Sequence, residues 1–107
     1  MSHEIRLLFA GLLLLAATVF FVQGCGQYDT VNAITYEHAK ALYSACNRRD
    51  RQRLEVCANM IAEAAANDEL SSTEKSYLTD IIEAARNDHW NESLAKSRQL
   101  MVDQLRP

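Results

Sequence analysis

The stretch Ser71–Asn87, SSTEKSYLTDIIEAARN, contains a whole helix together with its start and stop signals. Ser71 and Glu74 have the spacing of a capping box, in which each side chain accepts a hydrogen bond from the backbone N–H of the other residue. The apolar residues that follow recur at three- and four-residue steps: Leu78, Ile81, Ile82 and Ala85. Asn87 suits the left-handed position that ends a helix. The stretch therefore predicts a helix over 72–86 with one buried face.

The same helical period extends to both sides of this stretch. It predicts helices over about 35–48 and 51–67 and a fourth that ends near Pro107, with Asp50 and Asp88 as N-caps of the second and fourth helices. The predicted inward residues are Tyr36, Ala39, Leu42, Tyr43 and Cys46, then Leu54, Cys57, Ala58, Ile61, Ala64 and Ala65, and last Trp90, Leu94, Ser97, Met101 and Leu105. No strand-like alternation competes, so we predict an all-α domain of about four helices.

An internal repeat pairs these helices into two antiparallel hairpins. The apolar pattern of the first helix matches that of the third at an offset of 39, and the second matches the fourth at 40, where Leu54 aligns with Leu94. Periods near 40 occur in helical-hairpin arrays, and Trp90, Ser93 and Leu94 resemble the start of the second helix of a tetratricopeptide repeat. Short connections equally suit a four-helix bundle. A small bundle and a repeat-like array both remain open at this point.

A long apolar run precedes this domain. Leu7–Val22, LLFAGLLLLAATVFFV, has no charge over 16 of the 107 residues and follows Arg6, which is the layout of a secretory signal. The run is shorter than the ~20 residues that a spanning helix needs. An uncleaved membrane anchor is the alternative. We predict a signal helix in a signal peptide over 1–24, a tether over 25–34 and the helical domain over 35–107.

The residues that end the apolar run are Val22-Gln23-Gly24-Cys25. This stretch resembles the lipobox of bacterial lipoproteins. The resemblance implies a diacylglycerol on the Cys25 thiol, cleavage between Gly24 and Cys25, and fatty acylation, such as palmitate, at the new N-terminus. Each buried CH₂ of a lipid contributes ~0.8 kcal/mol, and stable anchoring takes more than one chain. We therefore expect a lipid anchor in the bacterial cell envelope, with the domain on the exported side and the choice of inner or outer membrane open.

Two further cysteines, Cys46 and Cys57, form an even pair that an oxidising compartment can bridge. On one continuous helix they would lie ~16 Å apart, at 1.5 Å per residue. A disulfide needs Cα atoms within ~7 Å, so a bridge requires the chain to reverse between them. Two buried thiols are the alternative. The spacing matches no metal or redox motif, so no metal site is predicted.

Four cations lie close together at Arg48, Arg49, Arg51 and Arg53. They are a candidate patch for an acidic partner or anionic lipid headgroups, with a solvated loop as the alternative. The formal net charge of −3 disfavours nucleic acid as a partner. Trp90, the only tryptophan, is predicted to pack in the core, with an interface anchor as the alternative.

The sequence predicts a binding module rather than an enzyme. HExxH, GxSxG and P-loop motifs are absent, and we predict no catalytic residue, cofactor or small-molecule substrate. Tyr36, Cys46-Asn47 and Cys57-Ala58-Asn59, after the lipobox, resemble entry-exclusion lipoproteins of conjugative elements. We predict a membrane-anchored interaction or scaffold module with an envelope protein partner. The alternative is a structural or lipid-surface-binding lipoprotein, including an entry-exclusion role.

Overall fold

The computed structural model describes residues 28–105, and in that part of the chain it contains four helices and no strand. The helices are α1 (Ala33–Asn47), α2 (Arg51–Ala66), α3 (Ser72–Arg86) and α4 (Trp90–Asp103). The prediction of an all-α domain is confirmed for these residues. The predicted signal peptide and Cys25 lie outside the described residues, as do the last two residues of the chain.

The predicted starts of α2 and α3 are confirmed. The Asp50 side chain accepts a hydrogen bond from the backbone N–H of Arg53 at 3.0 Å. Ser71 and Glu74 form the reciprocal capping box, with distances of 3.1 and 3.0 Å between the paired atoms. Each cap satisfies a backbone N–H that the first turn of a helix leaves without a partner.

All three connections between helices end the preceding helix in the same way, and without glycine. Arg49, Asp68 and Asp88 have left-handed backbones, with φ of 51°, 57° and 64°. The N–H of the residue after each of them donates to the carbonyl five residues earlier, which is the Schellman motif. The predictions for Asn87 and Asp88 were therefore wrong by one residue. Asp88 takes the left-handed position, and His89 precedes α4 without a side-chain cap.

We expect Asp68→Gly to raise the free energy of unfolding by about 0.5–1 kcal/mol, because glycine adopts a positive φ without the clash that a Cβ creates. Urea denaturation followed by tryptophan fluorescence would measure the change. Asn67→Gly is the control, since the adjacent Asn67 has φ of −91°. It should not stabilise the domain, and an equal gain from both variants would contradict the argument.

The internal repeat has a single offset of 39 residues. Ala33–Asn47 and Ser72–Arg86 are related by 39, and so are the starts of α2 and α4. The offset of 40 predicted for the second pair was wrong. At 39, buried residues match buried residues along α2 and α4: Leu54 with Ser93, Ala58 with Ser97, Ile61 with Leu100, and Ala64 with Asp103. The predicted offset was too large by one residue because it aligned Leu54 with Leu94, which are identical by chance.

The predicted inner face of α4 was correspondingly only partly right. Trp90 and Ser97 are buried as predicted, whereas Leu94 and Met101 are half-buried and Leu105 is 75% exposed. Ser93 and Leu100 fill the inner face instead, and both are fully buried. The buried face of α4 is thus rotated about the helix axis from the predicted one, and it includes the small side chain of Ser93.

The core lies between α1 and the other three helices. α1 contacts all of them and packs most extensively against α4, whereas the backbones of α2 and α4 do not come close to each other among the described residues. The fully buried Ser93 and Ser97 add little bulk, and their hydroxyls donate to carbonyls within α4 at 2.9 and 3.0 Å. Small, satisfied side chains on α4 therefore leave α1 room to lie close to it.

Candidate functional site

The segment that precedes α1, residues 28–32, is bound to the ends of other helices, and we call it the strap. The backbone N–H of Tyr28 donates to Asp103 Oδ2 at 2.8 Å. The N–H of Val31 donates to Gln104 Oε1 at 2.9 Å. Extended backbone needs acceptors for its N–H groups, and here side chains at the end of α4 supply them.

Aromatic packing also holds the strap. The ring of Tyr28 meets that of Tyr77 edge to face, with centroids 4.7 Å apart and an interplanar angle of 81°. Such a pair contributes about 0.5–1.5 kcal/mol beyond the area that it buries. The range 25–34, predicted as a tether, thus includes residues that pack on the domain from Tyr28 onward, and α1 already begins at Ala33.

Glu74 joins the strap to α1 and α3. Its Oε2 accepts from the Asn32 backbone N–H and from the Thr35 hydroxyl, both at 2.8 Å. Its Oε1 accepts from the Ser71 backbone N–H at 3.0 Å and the Asn32 side-chain amide at 3.3 Å. The residue is only 8% exposed, so these contacts replace nearly all of its water.

The protonation of Glu74 follows from these contacts. Burial alone would raise the pKa of the carboxyl group, but the backbone N–H groups of Asn32 and Ser71 and the Thr35 hydroxyl outweigh it. Together they lower the pKa from its usual 4.5 to about 2. Glu74 is therefore an anion at neutral pH, and its charge strengthens the bonds that hold the strap.

The arginine cluster lies at the other end of the helices, where α1 turns into α2 and α3 into α4. Arg51 forms an ion pair with Asp88, and its guanidinium lies 5.6 Å from the centre of the Trp90 ring. Arg48, Arg49 and Arg53 are exposed, and the structure shows no ion pair for them among residues 28–105. The predicted four-arginine patch thus divides into one arginine used within the fold and three that face solvent.

Trp90 belongs to the hydrophobic core cluster and is 9% exposed. This burial agrees with the prediction that Trp90 packs in the core. The Arg51 guanidinium lies over its ring, so Trp90 links the core to the arginine end.

Cys46 and Cys57 are both buried free thiols in the structure. Burial raises the pKa of the Cys46 thiol, although a hydrogen bond with Ser93 acts the other way. Burial likewise raises the pKa of the Cys57 thiol, against the charge of Arg53. Both groups are therefore protonated at neutral pH and unreactive in this state. A disulfide between them stays a prediction.

Within residues 28–105 no three His, Cys, Asp or Glu side chains come together in a way that could hold a metal ion. None of the four described helices is both long and apolar enough to cross a membrane. Comparisons of the chain with models of known protein families, with curated proteins and with solved structures found no match.

Sequence reasoning missed the strap and the role of Glu74 in it. The capping box gave one signal, since it identified Glu74 as an acceptor for Ser71. It gave no signal for Asn32 and Thr35, because these residues lie 42 and 39 positions before Glu74 and no local sequence pattern predicts their contact.

Proposed function

We propose that this protein is a lipid-anchored envelope lipoprotein whose helical domain binds another envelope protein. The observation that carries the proposal is the position of the strap. Tyr28, already bound to α4, comes three residues after Cys25, the predicted site of lipidation. At no more than 3.6 Å per residue, the two lie within about 11 Å of each other. The lipid would hold the strap end of the domain at the membrane surface.

The arginine end would then face away from that membrane. α1 has 15 residues, begins beside the strap and ends at Asn47, directly before Arg48. At 1.5 Å per residue it is about 22 Å long. Charges are screened over about 8 Å at physiological ionic strength, so the arginines would have little attraction for headgroups of the same membrane. This geometry favours a protein partner over the alternative of a lipid-surface-binding protein.

The contacts among the helices suit such a role. Because α1 packs most extensively against α4, the first and last helices close on each other, which favours a bundle of two antiparallel hairpins over an open repeat array. A rigid bundle on a short tether acts by proximity, since anchoring raises its effective concentration near other membrane proteins. No catalytic step is part of the proposal.

We expect Cys25→Ser to abolish fatty acid incorporation and to release the domain from the membrane fraction. Cells that make the full chain would be fed an alkyne-labelled palmitate analogue, and the label would be measured beside fractionation. Cys57→Ser is the control, because the same atom is changed inside the domain and the lipobox is intact. Full labelling of Cys25→Ser, or none of the unaltered protein, would refute the lipoprotein proposal.

A further inference from the structure

A groove with an apolar floor runs between α1 and α2. It has a volume of about 460 Å³, and Asp50, Arg53, Val56, Cys57 and Met60 are among the residues that line it. Val56 and Met60 are 52% and 55% exposed, which is unusual for large apolar side chains one helical turn apart. Arg53 lies one turn before Val56, so a cation borders the apolar floor.

The repeat provides an internal comparison for this surface. At the offset of 39, Arg53, Val56 and Met60 of α2 correspond to Glu92, Ala95 and Gln99 of α4. These positions are exposed in both hairpins. The three α4 positions are thus anionic, small and polar, although Arg98 and Val102 line a groove beside Ala95 and Gln99. A helix in this place therefore folds without a cation and two large apolar side chains at these three positions, so folding alone does not require Arg53, Val56 and Met60.

The cations beside the groove form no ion pair with the acidic residues around them in residues 28–105. Asp50, which lines the groove, is the N-cap of α2 and accepts from the backbone N–H of Arg53. Glu55 and Glu83 both pair with Arg86 at 2.9 and 3.1 Å, and Asp88 pairs with Arg51. The structure shows no such pair, in the range that it describes, for Arg48, Arg49 or Arg53. Arg53 lines the groove, and Arg48 and Arg49 lie in the turn that precedes α2. An exposed apolar floor beside these cations is complementary to an apolar face flanked by carboxylates.

We propose that the α1–α2 groove binds an acidic amphipathic helix of an envelope protein. Its apolar residues, spaced three or four apart, would lie on Val56 and Met60, and its carboxylates would reach Arg49 and Arg53. A groove between two helices accepts a third helix in this way, with apolar anchors for affinity and charge for orientation. The inference rests on the proposed function, and it specifies the surface and the class of partner.

The test places a photoreactive amino acid at Met60 of the full chain, in the cells that produce it. The matched control places it at Gln99, the position that the repeat relates to Met60. We expect one discrete protein adduct from position 60 and none from position 99. Mass spectrometry should locate the adduct in a segment with net negative charge and apolar residues three or four apart.

Charge variants complete the test. Arg49→Glu with Arg53→Glu should reduce the adduct at position 60 at least tenfold. Lys75→Glu with Arg98→Glu changes the net charge by the same amount, at exposed positions of α3 and α4, and should leave the adduct unchanged. Circular dichroism would check that both double variants keep their helix content.

The groove proposal is overturned by the absence of an adduct at position 60, by equal adducts at both positions, or by an adduct with lipid, a second copy of this chain or a basic segment. Equal loss in the two charge variants also overturns it. The proposed function fails separately, if Cys25 carries no lipid. An envelope protein captured only from position 99 would leave the proposed function standing and refute the groove.

Discussion

Replacing Glu74 by glutamine is expected to lower the free energy of unfolding by about 3 kcal/mol, although the two side chains have nearly the same shape. Both carboxylate oxygens accept hydrogen bonds, and backbone N–H groups of Asn32 and Ser71 point at opposite oxygens. Glutamine must therefore turn its amide NH₂ toward one of these donors. Hydrogen bonds to a charged group are worth about 1.5–3 kcal/mol, and a buried donor left without a partner adds its own cost.

Urea denaturation of the full chain in a non-ionic detergent would measure this loss, with Trp90 as the only tryptophan and hence the reporter. Glu63→Gln is the control, because Glu63 is an exposed residue of α2 for which the structure shows no side-chain hydrogen bond. We expect it to change the free energy by less than about 0.5 kcal/mol. Equal effects of the two substitutions would contradict the role of Glu74.

The loss has a defined pH dependence. The pKa of Glu74 is about 2 in the folded state, below the usual value of 4.5. Its stabilising contribution is therefore complete above pH 4.5 and declines as the pH falls toward 2. The difference in stability between the unaltered chain and Glu74→Gln should shrink over that interval. A constant difference from pH 6 to pH 3 would be inconsistent with an ionised Glu74.

Glu74 also has a consequence for how far the domain can reach. With the strap bound, the distance from Cys25, the predicted lipidation site, to Tyr28 is at most about 11 Å. If the strap detached, the first ordered attachment would be Ala33, eight positions after Cys25, and the span would reach about 29 Å. If the domain is anchored at Cys25 as proposed, the carboxylate would set both its height above the membrane and its orientation. Loss of Glu74 should weaken any contact that depends on a fixed distance from the membrane.

The helices were predictable because the signals that define them are local. The capping box of Ser71 and Glu74 and the N-cap at Asp50 act within four residues, and the apolar period fixed most of the buried face of each helix. The inner face of α4 was harder to predict, because the apolar residues Leu94 and Met101 form a stripe next to the residues that are buried, Ser93 and Leu100. When the buried residues are small, size does not identify the inner face.

The strap and the groove depend on contacts between residues far apart in the sequence. Asn32 and Glu74 are separated by 42 positions, and no local pattern links them. The arginines stood out as a charge cluster, but Val56 and Met60 lie off the buried stripe of α2 and formed no pattern of their own. The helix bounds set the repeat at 39 residues. Only with this offset are Val56 and Met60 matched to Ala95 and Gln99 of α4, which are smaller or polar.

Trp90→Ala is expected to lower the free energy of unfolding by about 3–5 kcal/mol, the usual cost of removing a buried tryptophan. The residue is 9% exposed and begins α4 at the end opposite the strap. Its loss would leave a cavity beside the core that the short α3–α4 turn cannot close. Because the variant has no tryptophan, the unfolding of the full chain must be followed by circular dichroism.

Arg51→Gln separates the core role of Trp90 from its contact with the arginine cluster. The ion pair of Arg51 with Asp88 is between side chains that are 54% and 70% exposed. An exposed ion pair contributes about 0–1 kcal/mol, and the cation–π contact a similar amount. Arg51→Gln should therefore cost about 1 kcal/mol, several-fold less than Trp90→Ala. Comparable losses would contradict this argument, because they would show that the contacts of the guanidinium stabilise the domain as much as the core packing of Trp90 does.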